Sequence, residues 1–284
     1  MQGTAVLKRT VWKAWFVLAG LGLACPGQVW FSRDWEEAPA AGREGRAMLI
    51  DRRGGHIAHI AAGGPWKTVF TVINTSETAE AVYDFWFRTS WGEQMTLTLD
   101  DGAKRQTGHT FELRLPPSGS LRLETVSSSP DVQMGWASFY PKTGREGDGI
   151  VFATFRAKIP DRPDYEALVP LDFVIAGSGL VPFDNRDRFG TAVAVVNPFP
   201  SYPLELEVEI RDREGRTLAT YRERLAELNH MAFQTAERWP ATAGREGLIV
   251  LKRVSEYGGF AALGLLFNPS GSVTTVPVTT PVTW

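Results

Sequence analysis

Cysteine occurs once in the 284 residues, at Cys25. Beyond that point no disulfide can staple the fold, no thiol can act as a nucleophile and no Cys-ligated zinc site can be built. Histidine is nearly as scarce, with four residues: His56, His59, His109 and His230. Charge of one sign is lacking too. The formal net charge is −2, and Lys and Arg are scattered among Asp and Glu. No basic footprint for a nucleic acid results, so nucleic acid is excluded as the expected partner. Long helical periodicity is missing; the best helical candidate is the short "QTAERW" (234–239), ended by Pro240. No G-x-S-x-G elbow occurs, and no Gly-rich phosphate loop lies at a strand-to-helix junction. Thiol, nucleotide and elbow-type hydrolase chemistry therefore have no sequence support.

What is present begins with an apolar run, Trp15–Ala24, behind Lys8, Arg9 and Lys13. It is shorter than the roughly 20 residues a membrane-spanning helix needs, and small residues follow at Gly22 and Ala24. Residues 1–25 thus read as an export signal. Cys25 behind it resembles a bacterial lipobox, where the cysteine becomes the lipidated N-terminus, although Gly22 stands where that motif has Leu. Residues 26–50, with "RDWEEAPAAGREGR", read as a charged linker. Membrane contact is expected only through the signal segment or a lipid anchor.

From residue 51 the pattern is β. "LELEVEIR" (204–211) alternates Leu204, Leu206, Val208 and Ile210 with Glu205, Glu207, Glu209 and Arg211, a strand with one wet face. "AVYDFWFR" (81–88) puts Tyr83, Phe85 and Phe87 on one face, and "SGSLRLET" (118–125) does the same with Leu121 and Leu123. An internal repeat organises these strands. "WKTVFTVINTS" (66–76) aligns with "FGTAVAVVNPF" (189–199), placing Thr68 on Thr191, Asn74 on Asn197 and, further on, Gly92 on Gly215. "LPPSGSLRL" (115–123) aligns with "LAELNHMAF" (225–233), "GWASF" (135–139) with "GLIVL" (247–251), "GIVFATFR" (149–156) with "AALGLLFN" (261–268) and "ALVPL" (167–171) with "TTVPV" (274–278). Two all-β copies of this size predict two tandem immunoglobulin-like sandwiches, over 51–171 and 172–284, the first carrying an extra hairpin at about 95–113. The word GREG, at 42–45, 144–147 and 244–247, falls at three different places of this scheme and reads as turn vocabulary.

The stretches "HIAAGGPWKTVFTVINTS", "LPPSGSLRLET", "VQMGWASF" and "LGLLFNPSGSVTTVPV" resemble a class of secreted bacterial proteins with paired repeats that end in an "RFNPSG-xTTLPV"-type strand. The resemblance spans most of residues 56–280 and implies export and paired sandwiches; the class brings no established activity and no catalytic residues. The chain departs from that pattern by its GREG insertions and by a long loop at 156–166.

Candidate site residues are few. His56 and His59, three apart in a strand, point to opposite faces and do not chelate one metal; they and His230, in the turn "ELNHMA", are expected at or near the surface. Asp184, Asn185 and Asp187 are hard oxygen ligands of the kind a weak calcium loop uses, weighed against an ordinary Asx-turn. Trp86, opposite in parity to Phe85 and Phe87, and Trp91 in the next turn form a candidate platform for sugar rings, unless Trp86 packs under the extra hairpin, the favoured alternative. Glu205, Glu207 and Glu209 read as a solvated face, and no cofactor is expected beyond calcium. The expected function is a non-catalytic exported binding, adhesion or structural module of the cell envelope or extracellular space, with a protein or polysaccharide as partner. The alternatives are a carbohydrate-binding protein using Trp86 and Trp91, and a hydrolase with an inter-domain site.

Overall fold

A computed structural model describes residues 54–143, 149–158 and 164–281. The export segment, Cys25, the linker and the GREG words at 42–45 and 144–147 lie outside the described residues, as does the centre of the 156–166 loop. The chain is all-β. Its first half contributes β1 (Gly55–Ala62), β2 (Trp66–Asn74), β3 (Ala81–Thr89), β4 (Leu97–Asp100), β5 (Arg105–Gly108), β6 (Thr110–Leu115), β7 (Ser120–Val126), β8 (Gln133–Thr143), β9 (Gly149–Ala157) and β10 (Tyr165–Pro170). The second half contributes β11 (Ser178–Asp184), β12 (Gly190–Val196), β13 (Leu204–Arg211), β14 (Thr217–Leu225), β15 (His230–Gln234), β16 (Glu246–Arg253), β17 (Ala261–Phe267) and β18 (Val273–Val276). Among the described residues the single α-helical turn, α1 (Thr235–Arg238), falls in "QTAERW" and stops before Pro240, as the sequence predicts; a 3-10 turn follows at Pro240–Thr242.

Among the described residues four antiparallel sheets form, none closed. Sheet I runs β1-β8-β3-β6 and sheet II runs β10-β9-β2-β7-β4-β5. Sheet III runs β11-β16-β13-β14 and sheet IV runs β15-β12-β17-β18. Read through the internal repeat, sheets III and IV reproduce the strand order of sheets I and II, with β4 and β5 as the surplus of the first half. The alternating strands behave as their patterns dictate. Tyr83, Phe85 and Phe87 are buried, and Leu204, Leu206, Val208 and Ile210 are buried while Glu205 stays exposed.

The repeat extends to individual hydrogen bonds. Thr68 Oγ1 donates to the Ala61 carbonyl at 2.8 Å and accepts from the Ala61 amide at 3.1 Å, tying β2 of sheet II to β1 of sheet I. Thr191 repeats this with Asp184 at 3.0 and 2.9 Å, tying β12 to β11. Asn74 Nδ2 donates to the carbonyls of Ala79, Leu115 and Pro116, and Asn197 Nδ2 to those of Tyr202 and Ala226. Gly92 and Gly215 both hold φ at 80° in their hairpin turns, and each amide reaches back three residues, to Thr89 and to Asp212. Gly135 and Gly247 both lie against a neighbouring carbonyl; a Cβ there would sit 1.9 Å from Arg88 O and 2.0 Å from Arg211 O.

One block of the repeat is shifted by a residue from its sequence alignment. In β2–β9 pairing Asn74 faces Gly149, whereas in β12–β17 pairing Val196 faces Ala261, so Gly149 corresponds to Phe260 and not to Ala261. The reason is a volume exchange. A Cβ on Gly149 would lie 2.6 Å from the Tyr83 ring. In the second half the large ring has changed strands: Leu206 stands for Tyr83, and the fully buried Phe260 stands for Gly149.

Replacing Asn74 by Ala leaves three carbonyls without their donor and should cost about 3 kcal/mol, and Thr68→Val about 2 kcal/mol, against less than about 0.5 kcal/mol for the exposed Glu205→Ala. Urea unfolding midpoints of the three variants measure this; an Asn74→Ala midpoint equal to that of Glu205→Ala would refute the bracing role.

Candidate functional site

The two halves meet in a continuous apolar seam. Within each half the two sheets face one another across a core. The centre of the outer face of sheet IV is covered, however. Its Ala192, Ala194, Val196, Leu263, Leu265 and Phe267 belong to the same buried cluster as Ile57, Ala58, Phe155 and Val169 of the first half. Strand β1 is consequently buried along its whole length, packed on β2 and β9 within its half and on β12 and β17 across the seam. A register shift between Ile57 and Ile60 adds one residue to β1 opposite Trp136, a bulge that β11 lacks.

At one end of the seam the turn Glu227–His230 seats in the first half. The Trp136 indole, 1 % exposed, donates to Leu228 O at 3.0 Å. The His230 amide donates to Ser90 O at 2.9 Å, and a Cβ at Gly92 would lie 2.9 Å from Leu228 Cβ. A side-chain chain crosses the boundary: Ser90 Oγ to His230 Nδ1 at 3.0 Å, then His230 Nε2 to His59 Nδ1 at 3.0 Å, the two imidazoles stacked 5.0 Å apart. The expectation that His56, His59 and His230 lie at or near the surface is therefore corrected. All three are buried, at 0, 5 and 6 % exposure. His59 and His230 are enclosed where the second half docks on the first, a contact that strand periodicity does not encode, and His56 is enclosed among Ser138, Trp136 and Tyr140. The bulge also breaks the simple alternation on which their facing was read. His109 remains half-buried.

His56 stands in a lateral row on sheet I. Its Nδ1 lies 3.0 Å from Ser138 Oγ on one side, and its backbone exchanges two 2.8 Å hydrogen bonds with Asp172 on the other. Serine, histidine and aspartate side by side evoke hydrolase chemistry, but His56 is fully enclosed, edge-on to Trp136 and Tyr140, and Ser138 is 5 % exposed. A triad serine needs an open approach for its carbonyl substrate, which this burial denies. His56 Nε2 and, nearby on the same face, Trp86 Nε1 are buried without a protein hydrogen-bond partner.

Trp86 lies on the outer face of sheet I, tilted against Tyr140 at 5.6 Å between centroids. The extra hairpin does not cover it, contrary to expectation. Strands β4 and β5 extend sheet II through β7, and Met95, Leu97 and Leu99 fill one end of the core instead. Trp91 is 46 % exposed in the following turn. The ring partner of Trp86 is thus Tyr140 and not Trp91. A second exposed aromatic pair, missed in the sequence, is Tyr202 with Tyr257, 45 and 56 % exposed and 5.3 Å apart. They come from two loops far apart in sequence, so no local signal joins them.

The loop proposed for calcium is braced internally. Both Asp184 oxygens accept from Arg186, whose guanidinium holds the carboxyl below its usual range. Asn185 Oδ1 accepts from the Thr191 amide at 2.7 Å, and its amide group donates to Thr235 Oγ1 and Thr242 O. Asp187 lies in the left-handed region at φ 46°. This is Asx bracing between β11 and β12. Among the described residues no group of three or more His, Cys, Asp or Glu side chains is placed to hold a metal ion.

A groove of about 450 Å³ opens on the second half, lined by Pro182, Arg211, Arg213, Gly215, Glu246 and Leu248 among others. Its charges are paired: Arg213 with Glu246 at 2.9 Å, and Arg186 also with Glu246. No protein-family model, curated protein or solved structure matches the chain.

The buried titratable groups set an acid dependence. Burial pushes His56 and His59 down to about 4 and His230 well below its ordinary value, while it pushes Asp172 up to about 7. A base depressed in the fold binds fewer protons there than in the unfolded chain, so stability is lost as pH falls from about 6.5 towards 4. A raised carboxyl acts oppositely and gains on acidification between about 7 and 4. Three histidines outweigh one aspartate, and the melting temperature should fall between pH 7 and pH 5. Asp172→Asn removes the offset and should steepen that fall in a calorimetric pH series; a flat wild-type profile would sink this account.

Proposed function

We propose that the chain is an exported, non-catalytic binding or structural module of the bacterial cell envelope or extracellular space, built from two immunoglobulin-like sandwiches. The observation that carries this reading is the seam. Where a two-domain hydrolase keeps a cleft, the side chains of sheet IV are packed into the first half, and His59 and His230 are enclosed, with His230 engaged on both His59 and Ser90. A body of this kind works through its outer surface and its rigidity. The apolar segment ahead of Cys25 and the resemblance to secreted paired-repeat proteins supply the export part of the proposal.

Expressed with its own N-terminus in a bacterial host, the chain should be recovered outside the cytoplasm. Palmitate label should enter the wild type and vanish in Cys25→Ser if the lipid anchor forms. Retention of the full-length chain in the cytosol would overturn the export reading, and equal labelling of both forms would overturn the lipid anchor alone.

A second reading, recognition of polysaccharide, is favoured by the Tyr202–Tyr257 pair, whose exposed rings offer stacking surface to sugar. In affinity electrophoresis through polysaccharide gels, Tyr257→Ala should lose at least about tenfold in affinity, near 1.4 kcal/mol, while Trp86→Phe changes little. Migration unaltered across a broad polysaccharide panel would count against this reading.

A further inference from the structure

The groove on the second half occupies the same place in its repeat as the seat that the seam fills in the first. Gly215 corresponds to Gly92, with the same φ and the same turn hydrogen bond. Arg213 then corresponds to Ser90, and Leu248 to Trp136 through the matching pairs Ile210–Ile249 and Phe87–Ala137. Pro182, opposite Leu248, stands where the β1 bulge carries His59. In the first half this seat holds Leu228 and His230. In the second half it is open, and a Cβ on Gly215 would meet nothing within 4 Å.

The inserting element has an open counterpart too. The turn Glu227–His230 corresponds to Pro117–Ser120. Leu228 and Ser118 both have positive φ, 61° and 53°, and their amides donate to the equivalent carbonyls of Phe199 and Ser76. Pro117, Ser118 and Ser120 are exposed. Beside this turn lies the outer face of sheet II, equivalent to the sheet IV face that is buried in the seam. It carries Ile73 and Phe152 half-buried, with Ile150 and Leu168 49 and 50 % exposed.

The seam is therefore a heterologous contact used once, with its two complementary surfaces left open, one on each half. We propose that the groove at Arg213, Gly215 and Leu248 receives the Pro117–Ser120 turn of a second copy of this chain, whose sheet II face lies across β11, so that copies add head to tail. A contact of this type does not consume itself. Each added copy presents the same two ends, and the product is an open filament or a closed ring, according to the rotation between copies. The Arg213–Glu246 pair and the polar turn make this contact more polar than the internal seam, so it is weaker and salt-sensitive. The proposal rests on the geometry of the seam and not on export, so either can fail alone.

The seam supplies its own ruler for a test. Ser90 and His230 touch through backbone and side chain, at 2.9 and 3.0 Å. Their open equivalents are Arg213 and Ser120. In a Cys25→Ser background of the full chain, Arg213→Cys together with Ser120→Cys should give, on mild oxidation, a ladder of intermolecular disulfides, while each single-cysteine variant gives none. Adding Ile150→Glu should lower the ladder yield more than about tenfold, because it buries an unpaired carboxylate in the contact. An unchanged thermal unfolding curve for Ile150→Glu would show that the fold is intact. Sedimentation of the uncrosslinked wild type should show a coefficient that rises with concentration and falls with salt. The proposal is overturned if the double-cysteine chain stays unlinked, if one single-cysteine variant dimerises as well as the double variant does, or if Ile150→Glu with an intact fold leaves the ladder unchanged.

Discussion

The buried threonine and asparagine at the two ends of β2, and again of β12, are the constraint on which the remaining structure depends. Sheets facing across an apolar core slide on one another cheaply, because dispersion has no direction. A hydroxyl that both donates to and accepts from one residue of the opposite sheet removes that freedom. Thr68 does this with the buried Ala61, and the buried Thr191 does it with the half-buried Asp184. At the other end the buried Asn74 and Asn197 each gather carbonyls from two connections and so hold those connections to the strand. With both ends pinned, Tyr83 can enlarge against Gly149 in one copy and Phe260 can enlarge beside Leu206 in the other without loss of register.

The same pinning fixes what the outer faces of the sheets present. Sheet IV turns small residues outward on β12, Ala192 and Ala194, so its backbone can approach β1 closely, and Leu263, Leu265 and Phe267 fill the remainder. Sheet II at the equivalent positions keeps Thr71, Thr154 and Arg156, which an aqueous face tolerates. Part of the divergence between the copies thus lies on one sheet face and on the turn beside it. The bulge in β1 belongs to this difference. It supplies the extra residue that lets His59 meet His230 while the Thr68 brace stays in place.

The bracing residues were legible in the sequence, because a threonine and an asparagine six apart around an apolar run recur, and because glycine recurs where φ must be positive. The strand faces were legible from alternation in "LELEVEIR" and "AVYDFWFR". The alignment slipped by one residue at "GIVFATFR" because Gly149 and Phe260 share a position but exchange volume with the facing strand, and a linear comparison sees only dissimilar residues. The burial of three histidines was not legible at all. For His59 and His230 it results from docking between surfaces far apart in the chain, which the residue pattern of β1 alone does not specify. The aromatic pair Tyr202–Tyr257 was hidden for the same reason, since two loops meet only once the sheets are stacked. "TAVAVV" in β12 shows what was available: every residue from Thr191 to Val196 is buried, with Ala192, Ala194 and Val196 in one core and Val193 and Val195 in the other, and its unbroken apolar run carried the information that something covers the outer face.

A duplicated fold that docks on itself through unlike surfaces solves one burial problem and leaves two surfaces over. The chain has treated them differently. The seat on the second half has become charged, with Arg213 for Ser90 and Glu246 for Met134, and it has lost the indole, with Leu248 for Trp136. The turn on the first half has become Pro-Pro-Ser-Gly-Ser where its counterpart carries Leu228 and His230. Glu246 in place of Met134 and Ser118 in place of Leu228 exchange an apolar for a polar side chain, which is what keeps a surface soluble when it is not permanently covered. The exposed Ile150 and Leu168 run against that trend on the same molecule, on the face that sheet IV buries in the other copy. Their retention there, next to a polar turn of unchanged backbone geometry, is what distinguishes a contact made reversible from a contact abandoned.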